Sequence, residues 1–361
     1  MAQQHRSPWQ IMWAKLRGNR TAMVGLAVLG VLYLGALFAG FISPYSDTHQ
    51  FREDNWHPPQ IGQLHLWDDE GTFRGPFVYA QNRVDDFLAE YEEDRSTVVE
   101  IDFFVRGDKY ELFGLFETDL HLFGAADPDR ALFLFGSDRY GRDVFTRIMY
   151  GSRISLSVGI IGILISMTLG MLIGGVAGYF GGRVDFVLMR LVEVILAVPG
   201  LYMILTVRQA FGQDMSSTQS YFIMVLVLAF IGWAGNARVI RGMVLSIKEN
   251  EYVTAAEALG LPRLRIIARH ILPNTLSFVI VTATLAVPYY ILGEVALSFI
   301  GVGIQEPDAS WGNMLREAQN VRYLTDYSWV VTPGFFIFFA VMAFNFLGDG
   351  LRDAADPRSL E

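Results

Sequence analysis

The side chains that most often carry catalysis or bind metals are sparse in this chain. Its histidines do not form the His-Glu-x-x-His zinc pattern, and no Gly-x-Ser-x-Gly sequence presents a nucleophilic serine. The absence of cysteine excludes thiolate catalysis, Cys-ligated zinc, iron–sulfur centres and disulfides. The six histidines are His5, His49, His57, His65, His121 and His270. The sequence therefore predicts neither a catalytic residue nor a metal site.

Lysine usage bears on nucleotide binding. The lysines are Lys15, Lys109 and Lys248, and none follows a glycine, so a Gly-x-x-x-x-Gly-Lys-Ser/Thr phosphate loop cannot form. If the protein's work needs ATP, another chain must bind it, and no cofactor is expected on this chain. A net charge of −9 and a pI near 5.2 disfavour nucleic acid as a partner, because phosphate-binding surfaces need clustered Lys and Arg.

A short charged segment precedes the second apolar run. Asp138, Arg139, Arg142 and Asp143 alternate in sign, which predicts a turn with solvent-exposed internal ion pairs. Such pairs contribute at most about 1 kcal/mol each, so a scaffold is favoured over affinity for a partner. Contact of Asp138, Arg142 and Asp143 with an external protein is the alternative.

The connection 242–274 is the segment best suited to meet a partner. Alanine-rich Glu251–Gly260, with an early Glu, predicts a short helix that Gly260 ends. Pro262 suits the first turn of a second, basic helix that ends at Leu272–Pro273. A small exposed helix followed by a sharp turn could dock in a groove of another protein. An ordinary amphipathic connector fits these residues equally well.

Apolar runs must position these segments. Residues 22–42 hold no charge, and about 20 apolar residues span the hydrocarbon core. Five further runs bring the predicted number of membrane spans to six, at 154–180, 185–208, 221–241, 275–300 and 329–349. Basic residues before the first run and in the connection 242–274 predict that both chain ends lie inside. The fold class predicted is an all-α polytopic membrane protein with six transmembrane helices, N-in and C-in.

Features within the runs predict helix packing. A glycine every four residues lets helix backbones approach closely, with a pore-lining hinge as the alternative. This stripe consists of Gly170, Gly174, Gly178 and Gly182. Pro199 and Pro288 interrupt the third and fifth runs, where each frees a carbonyl and can kink the helix.

Two carboxylates lie within or at the ends of apolar runs. Glu193 and Glu294 are costly in lipid and should face other helices or water. A structural pairing and a place along a transport pathway are both open interpretations. Trp311, beyond the fifth run, is interpreted as an anchor at the membrane interface rather than as a substrate contact.

The acidity of the chain lies in one block. Residues 44–152 hold 10 Lys and Arg against 22 Asp and Glu, a net charge of −12, while the rest holds 18 against 15. Segment 83–94 has helical spacing of apolar residues, and 97–116 reads as two β-rich runs joined at Arg106-Gly107-Asp108. A small external α+β insertion between the first two spans, over 44–135, is therefore predicted. The triplet is interpreted as its hairpin turn rather than as a cell-adhesion motif.

The connection 242–274 resembles the EAA loop of ABC-importer permease subunits. Thr254-Ala255-Ala256, then Gly260, then His270-Ile271-Leu272-Pro273 keep that loop's spacing, with Thr254 in place of the family's Glu and His270 in place of its usual Ile. In that family the loop forms the coupling helix that sits on the ATPase subunit. The resemblance implies as coupling residues Thr254, Ala255, Ala256, Glu257, Gly260, Leu272 and Pro273.

Further segments resemble the C-type permeases of the dipeptide/oligopeptide (nickel) class. Phe135–Val144 looks like their GTDxxGRD stretch, and Gly151–Gly159 resembles the start of their second span. Leu297–Gln305 with Ser310–Leu315 looks like their LSFLGLG…WGNML signature. The resemblance covers roughly 1–43 and 133–361.

The resemblance implies a non-catalytic transport subunit in a prokaryotic inner membrane. Its partners would be a second, B-type permease, two ATP-binding-cassette ATPase subunits that hold ATP and Mg, and an external solute-binding protein. The cargo would be peptide, moved inward by alternating access, with nickel complexes and oligosaccharides still open. The implied organisation is a cytoplasmic segment 1–21, a first helix 22–43, an insertion 44–135, a permease core 136–350 and a cytoplasmic tail 351–361.

Other functional classes explain the residues less well. A self-contained secondary carrier or intramembrane enzyme would place several ionisable groups near the midplane, and carriers often show internal repeats. This chain offers few such groups and no obvious repeat. A membrane anchor for the insertion would not need five further spans.

Overall fold

The structure, a computed structural model, describes residues 8–68, 71–85, 89–127, 129–211 and 216–355. The chain divides into two compact units. One consists of Met1–Leu29, Val158–Glu294 and Phe339–Glu361, and the other of Gly30–Ser157 and Val295–Phe338.

Helices dominate the described residues. The α-helices are α1 (Pro8–Gly18), α2 (Arg20–Leu37), α3 (Ala39–Ile42), α4 (Val144–Phe180), α5 (Gly182–Ala197), α6 (Gly200–Phe211), α7 (Ser217–Ile247), α8 (Glu251–Ala258), α9 (Arg263–Ile266), α10 (Leu276–Phe299), α11 (Trp311–Met314), α12 (Val321–Asp326) and α13 (Thr332–Ala355). Short 3-10 turns occupy Ile61–Gln63, Leu272–Thr275, Leu315–Gln319 and Ser328–Val331, and a π-helical turn occupies Ile267–Ile271. The strands are β1 (His65–Trp67), β2 (Phe73–Asp85), β3 (Glu90–Leu112) and β4 (Phe116–Ala125).

Five helical stretches in the described chain are long and apolar enough to cross a membrane. They are Arg20–Leu37, Val144–Phe180, Ser217–Ile247, Arg263–Phe299 and Ser328–Ala355. The chain is therefore a mostly helical, multi-pass membrane protein, as predicted. The number six is not confirmed, because the third predicted run, 185–208, is divided between α5 and α6. The division falls at Val198 and Pro199, where proline has no N–H to continue the helix.

The glycine stripe of α4 forms a packing seam. Gly170, Gly174 and Gly178 lie against α7, and a Cβ added at Gly174 would come 2.5 Å from the carbonyl oxygen of Ala237. This confirms the interpretation of these three glycines as packing residues. Gly182 does not belong to the seam, because it begins α5 with a φ of +52° and faces open space.

The basic helix of the connection does not end at Pro273, contrary to the prediction. The helical path runs on from α9 through the π-helical turn and the 3-10 turn Leu272–Thr275 into α10. Pro273 occupies the first positions of that 3-10 turn, where its missing N–H leaves no helical hydrogen bond unmade. The result is one helical stretch, Arg263–Phe299, that includes Pro288 in its interior.

The insertion is a sheet rather than the predicted α+β structure. Over the described residues of 44–135 there is no α-helix, and β1 to β4 form an antiparallel sheet in chain order. Of the segment 83–94, predicted as helical, residues 83–85 belong to β2 and 90–94 to β3, where Arg83 pairs with Tyr91, and 86–88 lie outside the described residues. Ladder pairing beside the buried sheet core, which includes Val78, outweighs the local helical spacing.

The Arg-Gly-Asp triplet lies inside β3 and not at a hairpin turn. The chain reverses instead at Phe113-Gly114, and the ladder between β3 and β4 shifts register between Arg106 and Tyr110. At this irregularity the Asp108 carboxylate accepts a hydrogen bond from the Ser46 N–H at 2.9 Å and lies 2.7 Å from His49 Nδ1. The triplet therefore serves the fold of the insertion.

Candidate functional site

The short helix α8 lies on the surface of its unit with one stripe buried. Val253 and Ala256, three residues apart, are buried, whereas the other residues of the helix are exposed. The Glu251 carboxylate, in the first turn, interacts favourably with the positive end of the helix dipole. Two small apolar contacts therefore seat α8, and most of its surface remains accessible.

The end of α8 is fixed by a Schellman motif. The Leu261 N–H donates to the Ala256 carbonyl at 3.2 Å, and the Gly260 N–H donates to the Glu257 carbonyl at 2.9 Å. Gly260 has a φ of +75°, and no atom lies within 4 Å of an added Cβ. Glycine is needed here for its backbone conformation and not for space. The motif sets the direction in which the chain leaves α8 and enters α9.

An apolar surface stands at this corner. We call Ala255, Ala258, Leu259 and Leu264 the docking face. All four are exposed, Leu259 to 81% and Leu264 to 68%. Leu259 at the end of α8 and Leu264 in α9 are large apolar side chains left exposed beside a fixed turn, an arrangement typical of a protein contact.

Hydrogen bonds tie α8 to the long helices. The Tyr179 hydroxyl at the end of α4 donates to the Glu257 carboxylate at 2.6 Å. Asn274 Nδ2 donates to the Tyr252 hydroxyl at 3.2 Å and to the His270 carbonyl at 2.7 Å. A displacement of α8 would therefore act directly on α4 and on the helical stretch Arg263–Phe299.

The predicted coupling residues occupy different positions in this arrangement. Thr254, Ala255 and Glu257 are exposed, and Ala256 is buried. Leu272 packs near Gly175 of α4, and Pro273 is exposed in the 3-10 turn. Of the predicted group, Thr254, Ala255 and Glu257 therefore lie on the accessible surface of α8. Leu272 instead attaches the loop to α4.

A buried cluster of charged side chains lies in the unit that consists of Gly30–Ser157 and Val295–Phe338. Asp138 accepts hydrogen bonds from the side chain of Arg142 at 2.7 Å and from the N–H of Tyr140 at 2.8 Å. Arg142 and Arg147 both reach Glu306, Arg147 at 3.2 Å. The expectation of solvent-exposed pairs is wrong, because the side chains of Arg142 and Arg147 are 3% and 2% exposed.

Burial and charge act in opposite directions on this cluster. Burial alone would raise the pKa of Glu306, but the hydrogen bond from Arg142 and the charge of Arg147 hold that pKa below its usual value. Burial would likewise lower the pKa of Arg142, and its bonds to Glu306 and Asp138 reverse the direction. Arg142 and Glu306 therefore stabilise each other's charged forms within this chain.

Asp143 has a separate role as the cap of α4. Its carboxylate accepts the Thr146 N–H at 2.8 Å, directly before the helix begins at Val144. Burial raises the pKa of Asp143 to about 7, although its bonds to Thr146 act in the other direction.

A polar cavity of about 500 Å³ adjoins the charge cluster. It is lined by Arg139, Ile304, Gln305, Glu306, Asn313, Arg316, Glu317, Gln319, Asn320 and Tyr323. Burial raises the pKa of Glu317 to about 7, with the nearby Asp138 charge in support, although Arg139 lies 3.2 Å away.

Trp311 does not anchor the chain at a membrane interface. It is fully buried, and its indole Nε1 donates to the Ile148 carbonyl at 3.1 Å. The prediction of an interfacial anchor is wrong, and so is the alternative of a substrate contact in this state. Trp311 instead holds the short helix α11 against α4.

The two carboxylates predicted within or at the ends of apolar runs differ in their surroundings. Glu193 on α5 is exposed on this chain and pairs with Arg190 at 2.6 Å. Glu294 in α10 is wholly buried. Within the described ranges no group of three or more His, Asp or Glu side chains is arranged to hold a metal ion.

Comparison with known proteins assigns a family. The family described as "Binding-protein-dependent transport system inner membrane component" matches residues 170–360, more than half of the chain. The chain belongs to this family. A second match, to the N-terminal transmembrane domain of oligopeptide transport permease C, covers residues 7–59.

Individual relatives are consistent with this family assignment. The dipeptide transport system permease protein DppC of Bacillus subtilis is 44% identical over 350 residues, 97% of this chain and 85% of the relative. The oligopeptide transport system permease protein OppC of Haemophilus influenzae is 40% identical over 242 residues, 67% and 76% of the two chains. DppC of Lactococcus lactis is 28% identical over 360 residues, 98% and 91%. The resemblance to C-type permeases of the dipeptide/oligopeptide class is confirmed.

Several residues that hold α8 in place, or that belong to the buried charge cluster, could not be identified from the sequence. Tyr179 and Asn274 carry no motif, because their role depends on which helix ends meet. Arg147 and Glu306 are 159 residues apart, and neither the charge pattern nor the spacing relates them. A charged residue beside an apolar run was the one available signal, and although both residues meet it, it does not relate one to the other.

Proposed function

We propose that this permease is the membrane subunit of an ATP-driven peptide importer and that separate ATPase subunits bind its docking face. The observation that carries the proposal is the exposed, apolar corner at Leu259 and Leu264, held in place by the buried stripe of α8 and by the Schellman motif. No catalytic step is assigned to this chain. ATP and Mg would be held by the partner chains.

The bonds of α8 suggest how ATP binding would act. Closure of the ATPases would push α8, and the contacts Tyr179–Glu257 and Tyr252–Asn274 would pass the movement to α4 and to Arg263–Phe299. The helices would then exchange inward-facing and outward-facing arrangements, as in other alternating-access transitions. Of the predicted coupling residues, Thr254, Ala255 and Glu257 would meet the ATPase, whereas Ala256, Gly260, Leu272 and Pro273 would keep the shape of the loop.

The membrane arrangement proposed is six crossings with both chain ends inside. The division of 185–208 into α5 and α6 at Pro199 is compatible with a kinked third crossing. The partners would be a B-type permease, two ATPase subunits and an external solute-binding protein. Burial of Asp138 and Arg142 supports a scaffold role for them and for Asp143 rather than direct contact with that binding protein.

Peptide is the proposed cargo. It rests on relatives named for dipeptide and oligopeptide transport. Identification of the ligand held by the partner binding protein would distinguish peptides from nickel complexes and oligosaccharides.

A charge placed on the docking face tests the coupling proposal. In Leu259→Glu the exposed leucine becomes a carboxylate, so folding should be little affected while the apolar contact is lost. We expect the ATPase subunits to co-purify weakly with the variant, and binding-protein-stimulated ATP hydrolysis to fall at least about tenfold, the loss that roughly 1.4 kcal/mol produces. Both are measured on the transporter in lipid nanodiscs.

Leu66→Glu is the matched control, since Leu66 is an exposed leucine of the insertion. It should retain co-purification and stimulated hydrolysis. Normal coupling in Leu259→Glu would contradict the assignment of the docking face. Solute uptake by this chain alone, without ATPase subunits, would contradict the importer proposal and favour the self-contained carrier.

A further inference from the structure

The hairpin of β3 and β4 has one charged face and one apolar face. On the charged face Lys109 pairs with Glu117 at 2.7 Å, and both side chains are exposed. Asp119 lies on the same side of β4, and Arg106 approaches it to 3.4 Å from its ladder position opposite Leu120. On the other face of β4, Phe116 and Leu120 are exposed. Because successive side chains of a strand point to opposite faces, Glu117 and Asp119 of β4 lie on the face opposite Phe116 and Leu120.

The end of the hairpin is apolar throughout. We call Leu112–Phe116, the sequence Leu-Phe-Gly-Leu-Phe, the hairpin tip. Phe113, Leu115 and Phe116 are exposed to 48%, 77% and 65%. No charge interrupts the tip, and Glu111 and Glu117 flank it. An exposed tip of this composition would be a liability in water.

The hairpin tip lies beside the first membrane helix. The Phe113 ring meets the Phe38 ring edge to face, with the centroids 5.6 Å apart. Phe38 is four residues before Ile42, the last residue of the uncharged run 22–42. The membrane-crossing stretch Arg20–Leu37 ends directly before Phe38, so the contact lies at the end of that stretch. The tip therefore reaches the depth at which amphipathic segments enter the boundary between headgroups and acyl chains.

An apolar groove separates the hairpin from the helix. Its volume is about 610 Å³, and its walls include Leu34, Phe38 and Ile42 on one side and Leu112, Phe116 and Leu120 on the other. Leu34 is itself 57% exposed and belongs to the membrane-crossing stretch. The groove is thus continuous with the lipid-facing surface of α2.

We propose that the hairpin tip inserts into the outer boundary of the bilayer and that lipid acyl chains fill the groove. Continuity with the surface of α2 identifies lipid as the occupant. The opposite, charged face of the hairpin remains in water. The insertion thereby contacts the membrane at the hairpin tip in addition to its connections to α3 and α4.

Site-directed spin labelling tests this inference cleanly, because the chain has no cysteine. Leu115→Cys places one label on the tip, Glu117→Cys places one on the charged face, and Val31→Cys marks the lipid-facing side of α2. The assembled transporter is reconstituted in vesicles of phosphatidylethanolamine and phosphatidylglycerol. Collision rates of each label with oxygen, which concentrates in lipid, and with a water-soluble nickel chelate are then compared.

The Leu115→Cys label should resemble Val31→Cys, with a ratio of oxygen to nickel collisions several-fold above that of Glu117→Cys. A Leu115→Cys label accessible to nickel would place the tip in water and overturn the proposal. A label protected from both reagents would place it against a protein, such as the second permease, and would also overturn it. Retained solute uptake by each labelled transporter shows that the labels leave the fold intact.

Discussion

At the scale of single residues, the buried charges of the cluster around Asp138 act as a set. Taking a charge out of water costs several kcal/mol, and the cost is recovered only when partners and hydrogen bonds are complete. Here two arginines share Glu306, and Asp138 accepts both side-chain and backbone donors. The sequence showed the alternating charges at 138–143 but gave no sign of Glu306. The set could therefore not be recognised as buried before the fold was known.

Glu317 makes stability depend on pH. Its folded pKa, about 7, lies above the usual value of 4.5 because the side chain is buried, so the folded state favours the protonated form. The stability contributed by this group is complete below about pH 4.5 and is lost as pH rises through 7. The loss amounts to roughly 3 kcal/mol. We expect the melting temperature of the detergent-solubilised transporter to fall between pH 5.5 and 8, and to fall less in Glu317→Gln.

The exposed Glu249 provides the control for this prediction. Glu249→Gln should show the same pH dependence as the parent protein. Identical slopes for the parent and Glu317→Gln would mean that other groups, such as Asp143, account for the whole effect.

At the scale of elements, the seam between α4 and α7 depends on the absence of a side chain. In Gly174→Ala the new Cβ would lie 2.5 Å from the Ala237 carbonyl oxygen, so the helices must separate. Such overpacking typically costs about 1–3 kcal/mol. We expect a lower melting temperature. Gly235→Ala on α7 adds the same methyl to open space and should leave the melting temperature unchanged or slightly higher. Equal melting temperatures for Gly174→Ala and Gly235→Ala would argue against the seam.

The turn after α8 is sensitive to the same substitution for another reason. Gly260→Ala meets no neighbour but forces an L side chain to a φ of +75°, a conformation that costs roughly 1–2 kcal/mol. We expect weaker stimulation of ATP hydrolysis by the binding protein, because the docking face is misdirected. Gly242→Ala, in regular helix with open space, should preserve stimulation. Equal stimulation in the two variants would mean that the Schellman motif does not orient the docking face.

A structural element can be predicted from the sequence when the interactions that form it join residues close together in the chain. Long apolar runs and the glycine stripe report packing along one helix, so α4 and its seam were predictable. The segment 83–94 failed because its helical spacing competes with a ladder partner across the sheet, such as the Arg83–Tyr91 pair. Gly260 was predicted because its conformation is local, whereas the Tyr179–Glu257 bond required two distant helices to be placed.

At the scale of the whole molecule, most of the net charge of −12 over 44–152 belongs to the sheet segment 65–125, which holds 5 Lys and Arg against 15 Asp and Glu. Several of its acidic groups are paired with arginine or lysine, including Glu117 and Asp119 of the hairpin. The remaining charge keeps a β-rich insertion with an apolar tip soluble on its water-facing side.

Cysteine accessibility tests the proposed topology on the intact chain. Arg130→Cys and Thr218→Cys, both exposed, should react with a membrane-impermeant maleimide in intact spheroplasts. Glu249→Cys should react only after permeabilisation. The Thr218→Cys result decides the number of crossings, because labelling from outside requires 185–208 to cross. Protection of Thr218→Cys until permeabilisation would leave five crossings.

The π-helical turn Ile267–Ile271 has a consequence for how this chain can vary. Each residue added to or removed from a helix rotates everything beyond it by about 100°. A deletion within 263–273 would therefore turn the lipid-facing and bundle-facing sides of α10 away from their neighbours, while α8 stayed seated. Substitutions here change one contact, but a change of length changes all of them. We therefore expect natural variants to differ between Gly260 and Pro273 in residue identity but not in the number of residues.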